Sequence, residues 1–413
     1  MSLTRTPTPA PPQPTPPGPT SPGPAANRTA TARPAGRRRP LTGVLTAALL
    51  AVSVALAGCG AAGAEQAASS PAAATSPAAT SPASAETEAG TPAEALDLPD
   101  PAEIEGPSTA QTVADIVPIE APQAPELPVT VTDHEGREVT IEDTGRILAL
   151  DLYGTLADIV TGLGLGEQLV GRTSSDTAES MADLPLVTTG GHDLNAEAIL
   201  SLRPTVVLAD STLGPPEVYE QLRSAGVTLV MFSPDRSIDT NEDMMAQVAG
   251  ALGVPASGEA LTARYAEEMD AAQARIDALV PDEEAARISA AILYVRGTAG
   301  IFFVMGSDSG GDVVESVGAL NAAEEAGITG TRPANAEALA ALNPEVILVM
   351  THGLESTGGL AGLLERPGVA QTTAGQRRRI VDAPDGQLMS FGPQTPQSLV
   401  SLAEAVYNPE GLQ

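Results

Sequence analysis

The chain has 413 residues, of which 21 are basic and 52 acidic, so its net charge at pH 7 is −31. A negative field of this size excludes nucleic acid and anionic lipid headgroups as electrostatic partners. The single cysteine excludes an intramolecular disulfide, and three scattered histidines cannot build a nitrogen-rich metal cage.

Residues 1–58 are predicted to be a lipoprotein signal region. A stretch without acids ends in Arg37-Arg38-Arg39, and the apolar segment that follows is too short to span a bilayer comfortably. The segment ends in Leu56-Ala57-Gly58-Cys59, which resembles a bacterial lipobox. We therefore expect Cys59 to carry a lipid anchor on the outer face of the cell membrane, with an ordinary signal peptide as the alternative.

The rest of the chain divides into a tether and two lobes. Residues 59–128 are rich in Ala, Ser, Pro, Thr and acids, a composition typical of a disordered tether. Residues 129–256 and 287–413 are predicted α/β lobes. An Ala-, Glu- and Arg-rich helix within 257–286 is predicted to connect them.

The first lobe begins with a predicted β-hairpin whose turn contains His134, which we interpret as a solvated residue. The buried strand 146–150 and the helix 153–163 follow. The glycines of 162–166 superficially match a dinucleotide fingerprint. They come after a helix and before a strand, however, so we interpret them as a helix end and a turn.

A repeat relates the two lobes. The segment 195–208 recurs at 335–348, and each copy predicts a short helix capped by an asparagine and then a buried strand. Each lobe therefore carries the same helix-turn-strand unit, and ligands of such sheets bind beyond the carboxyl ends of the strands.

Two side chains suit iron coordination. Tyr294 and Arg296 lie near the end of a predicted strand and point the same way, so the guanidinium can stabilise a phenolate, which is a hard ligand for ferric iron. The spacing fits a structural Tyr–Arg pair equally well. His192 follows two glycines just before a helix cap, and its imidazole could bind iron or the local backbone.

Several motifs between about Val129 and Tyr407 carry a resemblance to a known family. They are Arg146-Ile-Leu-Ala-Leu-Asp-Leu-Tyr-Gly, Gly191-His192-Asp-Leu-Asn-Ala-Glu197, Leu293-Tyr294-Val-Arg296-Gly, Asn335-Ala-Glu337-Ala and Gly386-Gln-Leu-Met-Ser-Phe391-Gly-Pro. In these motifs the chain resembles the substrate-binding lipoproteins of bacterial ABC importers for iron complexes and cobalamin, and most closely the haemin-binding lipoproteins of actinobacteria.

This resemblance implies two Rossmann-like α/β lobes joined by one long backbone helix, with the ligand clamped in the cleft between them. It implies that His192 and Tyr294 are the two axial ligands of haem iron and that Arg296 is bonded to the tyrosine. It also implies that Glu197 and Glu337, one in each lobe, dock onto a permease dimer; acids in a helix's first turn are equally explained by the helix dipole.

Further residues are expected to line the ligand pocket. His352 stands where the family pattern has a lysine and provides a second candidate imidazole. Aromatic and methionine side chains supply flat contacts for a porphyrin, although most such residues are simply core. The candidates are Tyr153, Phe302, Phe303, Met389 and Phe391.

The predicted function is capture of haem without chemistry. An extracytoplasmic, lipid-anchored monomer is expected to deliver the haem to an ABC permease and its ATPase, and it is not expected to be an enzyme. A ferric-siderophore or cobalamin binder of the same family is the nearest alternative. A haem enzyme such as a peroxidase would need an open axial position, which two protein ligands do not leave.

Overall fold

The computed structural model describes residues 98–412 apart from positions 299, 301, 308 and 390. The predicted signal region, Cys59 and the tether up to residue 97 lie outside these residues. None of the described helices is both long enough and apolar enough to cross a membrane.

The described chain contains fourteen strands and thirteen α-helices, mixed along its length. The strands are β1 (Ser108–Thr109), β2 (Val129–Thr132), β3 (Glu138–Ile141), β4 (Ile147–Leu150), β5 (Thr188–Thr189), β6 (Asp193–Leu194), β7 (Val206–Ala209), β8 (Leu229–Met231), β9 (Ser289–Val295), β10 (Phe302–Val304), β11 (Leu320–Asn321), β12 (Arg332–Pro333), β13 (Val346–Met350) and β14 (Ile380–Ala383). The helices are α1 (Thr155–Gly162), α2 (Ala196–Ser201), α3 (Glu217–Ser224), α4 (Asn241–Ala251), α5 (Pro255–Asp277), α6 (Gly311–Ser316), α7 (Ala322–Glu325), α8 (Ala336–Leu342), α9 (Thr351–Ser356), α10 (Gly359–Leu364), α11 (Thr373–Arg377), α12 (Asp385–Leu388) and α13 (Thr395–Tyr407). The mixed α/β fold class is as predicted.

The first lobe is built on the parallel sheet β4-β7-β8, with the hairpin β2-β3 beside it. All the residues of these three parallel strands are buried, because the sheet is covered on both faces. Alternate residues of β4 face two separate core clusters: Ile147 packs in one, and Leu148 in the other.

The second lobe contains a larger sheet in the order β1-β14-β13-β9-β10-β12, with β11 also paired to β9. Strands β9, β13 and β14 are parallel, whereas β10 runs antiparallel to β9. The carboxyl ends of the three parallel strands therefore meet at one edge, and this edge carries the candidate site.

Both copies of the repeat fold as predicted. Asn195 begins α2 by accepting a hydrogen bond from the backbone N–H of Ala198 (3.0 Å), and Asn335 begins α8 in the same way with Ala338 (2.9 Å). The connecting helix predicted within 257–286 is found as α5, which starts at Pro255; the domain boundaries themselves stay predictions.

Residues 98–128, which we call the strap, correct the predicted extent of the tether. β1 of the strap pairs in parallel with β14 of the second lobe. Further along, the N–H of Ile119 donates to the carbonyl of Gly162 (3.0 Å), and that of Glu126 donates to the carbonyl of Gly253 (2.8 Å), both in the first lobe. Pro- and Ala-rich composition hides these contacts, because they involve mainly backbone atoms and a few scattered apolar side chains.

Candidate ligand site between the lobes

Tyr294 lies near the carboxyl end of β9 and is half-buried. Phe303 of β10 stands directly opposite it in the antiparallel register. Directly opposed residues share a face of the sheet, so Phe303 and Tyr294 are on the same face. Phe302 is on the other face, where its ring lies 5.1 Å from the guanidinium carbon of Arg366. Phe302 as a contact of the porphyrin stays a prediction.

Arg296 is next to Tyr294, as the alternation of the strand predicts, and its guanidinium faces the tyrosine ring. The guanidinium carbon lies 4.9 Å from the centroid of the tyrosine ring, which is a cation–π arrangement. The arginine also forms an ion pair with Asp385 (Nη2 to Oδ2, 2.6 Å) and donates to the carbonyl of Val295 (3.2 Å). The positive charge is thus held over the phenol face.

His352 lies at the start of α9, in the same lobe as Tyr294. Its backbone N–H donates to Oδ1 of Asp385 (3.0 Å), and its Nδ1 lies 3.7 Å from the same oxygen. The side chain is 72 % exposed. This second imidazole is therefore near the Arg296–Asp385 pair and open to solvent.

His192 occupies the turn between β5 and β6 in the first lobe, and its side chain is exposed. Gly190 (φ 62°) and Gly191 (φ 92°) precede it, and both adopt a left-handed conformation that other residues rarely take. The turn is held by a hydrogen bond from the Ser174 hydroxyl to the Gly191 carbonyl (2.9 Å) and by one from the Gly214 N–H to the His192 carbonyl (3.1 Å). These hydrogen bonds thus fix the backbone of the turn, and the imidazole of His192 is exposed to solvent.

A cavity of about 440 Å³ lies between the lobes. It is lined by residues 112–115 of the strap, by Tyr153, Asp158, Ser175 and Thr177 of the first lobe, and by Pro384, Gly386 and Gln387 of the second. A larger hollow of about 640 Å³, formed by the strap, α5 and α13, contains none of the predicted site residues. Of these two cavities, the interlobe one is lined by both lobes, and its lining does not include His192, Tyr294, Arg296 or His352.

Of the predicted pocket residues, Tyr153 lines this cavity. Its ring meets that of Phe391 edge-on, with centroids 5.8 Å apart. Phe391 and Met389 are only 2 % and 5 % exposed and pack in the core of the second lobe, so they support the pocket from behind and do not line it.

Sequence reasoning missed a set of buried carboxyl groups behind Tyr153. Asp151 directly follows β4 and accepts hydrogen bonds from the N–H groups of Thr155 (3.0 Å) and Leu156 (3.2 Å). Asp210 directly follows β7 and pairs with Arg236 (2.6 Å). Burial, reinforced by the charge of Asp210, raises the pKa of Asp151 to about 7. Their position immediately after apolar strands is a signal that the sequence does carry.

Glu197 and Glu337 are exposed in the first turns of α2 and α8. Their equivalent positions follow from the repeat.

The molecule has two α/β lobes with a cavity between them, and each lobe carries a candidate ligating side chain. This arrangement is that of a two-lobed solute-binding protein. The periplasmic binding protein model matches residues 151–386, which is more than half of the chain. The chain belongs to the periplasmic binding protein family.

Solved structures and curated relatives agree with this class. The chain is similar to the heme binding protein HmuT (46 % identity, TM-score 0.72, covering 75 % of this chain and 100 % of that one). It is also similar to the periplasmic heme-binding protein RhuT from Roseiflexus sp. RS-1 in apo form (38 % identity, TM-score 0.59, covering 65 % and 99 %). A cobalamin-binding protein of Halobacterium salinarum is 28 % identical over 300 residues, 70 % of this chain and 77 % of the relative.

Crystal structures of HmuT also exist for variants in which a tyrosine, an arginine two positions further on, or a histidine is changed to alanine. Tyr294 and Arg296 of this chain have the same spacing.

Proposed function

We propose that this protein captures haem between its two lobes and delivers it to an ABC permease and its ATPase without chemical change. The observation that carries the proposal is the Tyr294–Arg296 pair at the carboxyl end of β9, with a guanidinium 4.9 Å from the phenol ring. Tyrosine and histidine are both established ligands of haem iron. The similarity to heme-binding proteins of known structure supports the same cargo.

In this proposal Tyr294 binds ferric iron as the phenolate, and Arg296 stabilises the negative charge. His192, in the other lobe, supplies the second axial ligand as a neutral imidazole. Because the two ligands come from different lobes, iron coordination favours the closed arrangement of the cleft. Phe303 and Tyr153 supply flat apolar contact for the porphyrin.

Delivery and anchoring complete the proposal. Membership of a periplasmic binding protein family makes the protein extracytoplasmic in class, and we infer from the lipobox-like sequence that Cys59 carries a lipid anchor. Glu197 and Glu337 are proposed to dock onto the permease, because exposed acids at matched sites of the two lobes suit a two-fold partner with basic residues.

Cobalamin is the second candidate cargo, favoured by the Halobacterium relative. In that case Tyr294 would pack against the ligand without coordinating its metal. The two cargoes are separated by the spectrum of the complex.

The test is an absorption titration of the protein with haemin, with Tyr294→Ala and His192→Ala in parallel. We expect saturable binding of six-coordinate ferric haem at one equivalent, and a changed spectrum with affinity reduced about tenfold or more in each variant.

The matched control is the double variant Glu197→Gln with Glu337→Gln, which removes the proposed docking charges and should bind haemin like the wild type. His352→Ala shows whether the second imidazole takes part. If the wild type gives no saturable change with haemin but binds cobalamin, the haem proposal is wrong.

A further inference from the structure

We propose that Asp385 is a positioning residue for the tyrosine ligand: it holds Arg296 over Tyr294 and so stabilises the phenolate form that binds ferric iron. This inference rests on the proposed function, because it assumes that Tyr294 binds the iron.

The order of the sheet brings Asp385 to the arginine. Strands β14, β13 and β9 are consecutive and parallel, and Asp385, α9 and Arg296 follow their respective carboxyl ends. Neighbouring strands are about 4.8 Å apart, so Arg296 must extend across the end of β13 to reach the carboxylate. On this path its Nη2 passes Sδ of Met350 at 3.4 Å. An arginine side chain is long enough for this reach, and its guanidinium contacts both the Tyr294 ring and the Asp385 carboxylate.

The carboxylate itself is fixed. One oxygen of Asp385 accepts from Arg296 (2.6 Å), and the other accepts from the N–H of His352 at the start of α9 (3.0 Å). The two side chains of the pair are only 31 % and 20 % exposed, so solvent screens the pair less than it would a surface ion pair. Asp385 therefore links the end of β14, the start of α9 and the arginine beside the phenol.

Removing the carboxylate frees the guanidinium. Among the described residues, the other polar contacts of the Arg296 side chain are a 3.2 Å hydrogen bond to the Val295 carbonyl and one to the sulfur of Met350, both weaker than a charged pair. An arginine side chain has several rotatable bonds, so without its anchor it samples solvent-facing rotamers. The phenolate then loses the adjacent positive charge that stabilises it.

The test measures haemin affinity and the phenolate-to-iron charge-transfer band in Asp385→Ala, Arg296→Ala and the double variant. We expect each single variant to weaken binding about tenfold and to shift the band. The double variant should be no worse than Arg296→Ala alone, because Asp385 acts through the arginine. Asp385→Glu, which keeps the charge, should restore part of the affinity. Additive effects of the two single changes would overturn the proposal.

Asp382→Asn is the matched control, since Asp382 accepts from the Thr351 hydroxyl at the start of α9 (2.6 Å) yet is not a partner of Arg296 in the described contacts. It should leave the charge-transfer band unchanged. A shifted band in this control would point to a general effect of α9 and would also overturn the proposal.

A second measurement needs no haem. In the ligand-free protein, the guanidinium N–H signals of Arg296 should be shifted by the ring current of Tyr294, and Asp385→Ala should abolish this shift. Unchanged signals would overturn the positioning role even if haem binds. Conversely, if haem fails to bind the wild type while the signals behave as expected, the function is wrong and the positioning of Arg296 stands.

Discussion

Position 353 leaves no room for a side chain. A Cβ on Gly353 would lie 2.5 Å from Nη1 of Arg296 and 2.7 Å from the carbonyl oxygen of Val295. Gly353→Ala should therefore displace the arginine from Tyr294, lower haemin affinity about tenfold and cost about 1–3 kcal/mol of unfolding free energy. A haemin titration and a urea unfolding curve check both effects.

The control for this change is Gly250→Ala, in the last turns of α4. A Cβ there would meet no other described atom within 4 Å, and alanine is favoured over glycine inside a helix by about 0.5–1 kcal/mol. Its stability should stay level or rise, and its haemin affinity should not change. Equal losses in both variants would show that the close approach at Gly353 is unimportant.

Some side-chain neighbours follow from local sequence and others do not. The contact of Arg296 with Tyr294 was predictable because strand residues two apart share a face. The contact of Arg296 with Asp385 was not, because it depends on which strands are neighbours in the sheet. Phe302 and Phe303 were equivalent candidates until the register with β9 placed Phe303 opposite Tyr294.

At the scale of elements, the strap joins the two lobes in addition to α5. Gln387 of the second lobe accepts from the N–H of Val113 (3.0 Å). Two positions later, Asp115 accepts from the N–H groups of Glu179 (3.0 Å) and Ser180 (2.7 Å) in the first lobe. The chain thus crosses between the lobes within residues 113–115, beside the interlobe cavity.

We expect Asp115→Ala to free the strap from the first lobe at the point where it crosses between the lobes. Exposed hydrogen bonds to a carboxylate contribute modestly, so the loss of unfolding free energy should be about 1 kcal/mol. The amides of Glu179 and Ser180 should exchange hydrogen markedly faster, and haemin should dissociate faster from the less constrained cleft. Asp143→Ala is the control, because Asp143 likewise accepts from a backbone N–H, that of Gly145 (2.7 Å), but away from the strap. Unchanged exchange at Glu179 and Ser180 would contradict a bridging role.

Among the helices and strands, too, some could be predicted from local sequence and others could not. The helix-turn-strand repeat and the buried strands were predictable, since capping asparagines and apolar runs are local signals. The attachment of the strap could not be predicted, because it depends on backbone groups and single polar side chains, which leave no periodic pattern in the sequence.

At the scale of the whole molecule, the buried acids of the first lobe make stability depend on pH. Burial raises the pKa of Asp151 to about 7 and that of Asp176 to about 6, whereas an unfolded aspartate titrates near 4. Between these values the folded protein holds protons that the unfolded chain releases. Stability should therefore be greatest on the acidic side of this window and should fall as the pH rises from about 4 to about 7, levelling off above that.

The measurement is the unfolding free energy in urea at several pH values between about 4 and about 8. One retained proton corresponds to a slope of about 1.4 kcal/mol per pH unit, and a partly retained one to less. Asp151→Asn removes one of the titrating groups while preserving the shape of the side chain, so its slope should be flatter than that of the wild type. The exposed Asp243→Asn also removes one negative charge from the strongly acidic molecule, and its slope should match that of the wild type. If both variants flatten the slope equally, the dependence reflects overall charge repulsion and not the buried carboxyls behind the cavity.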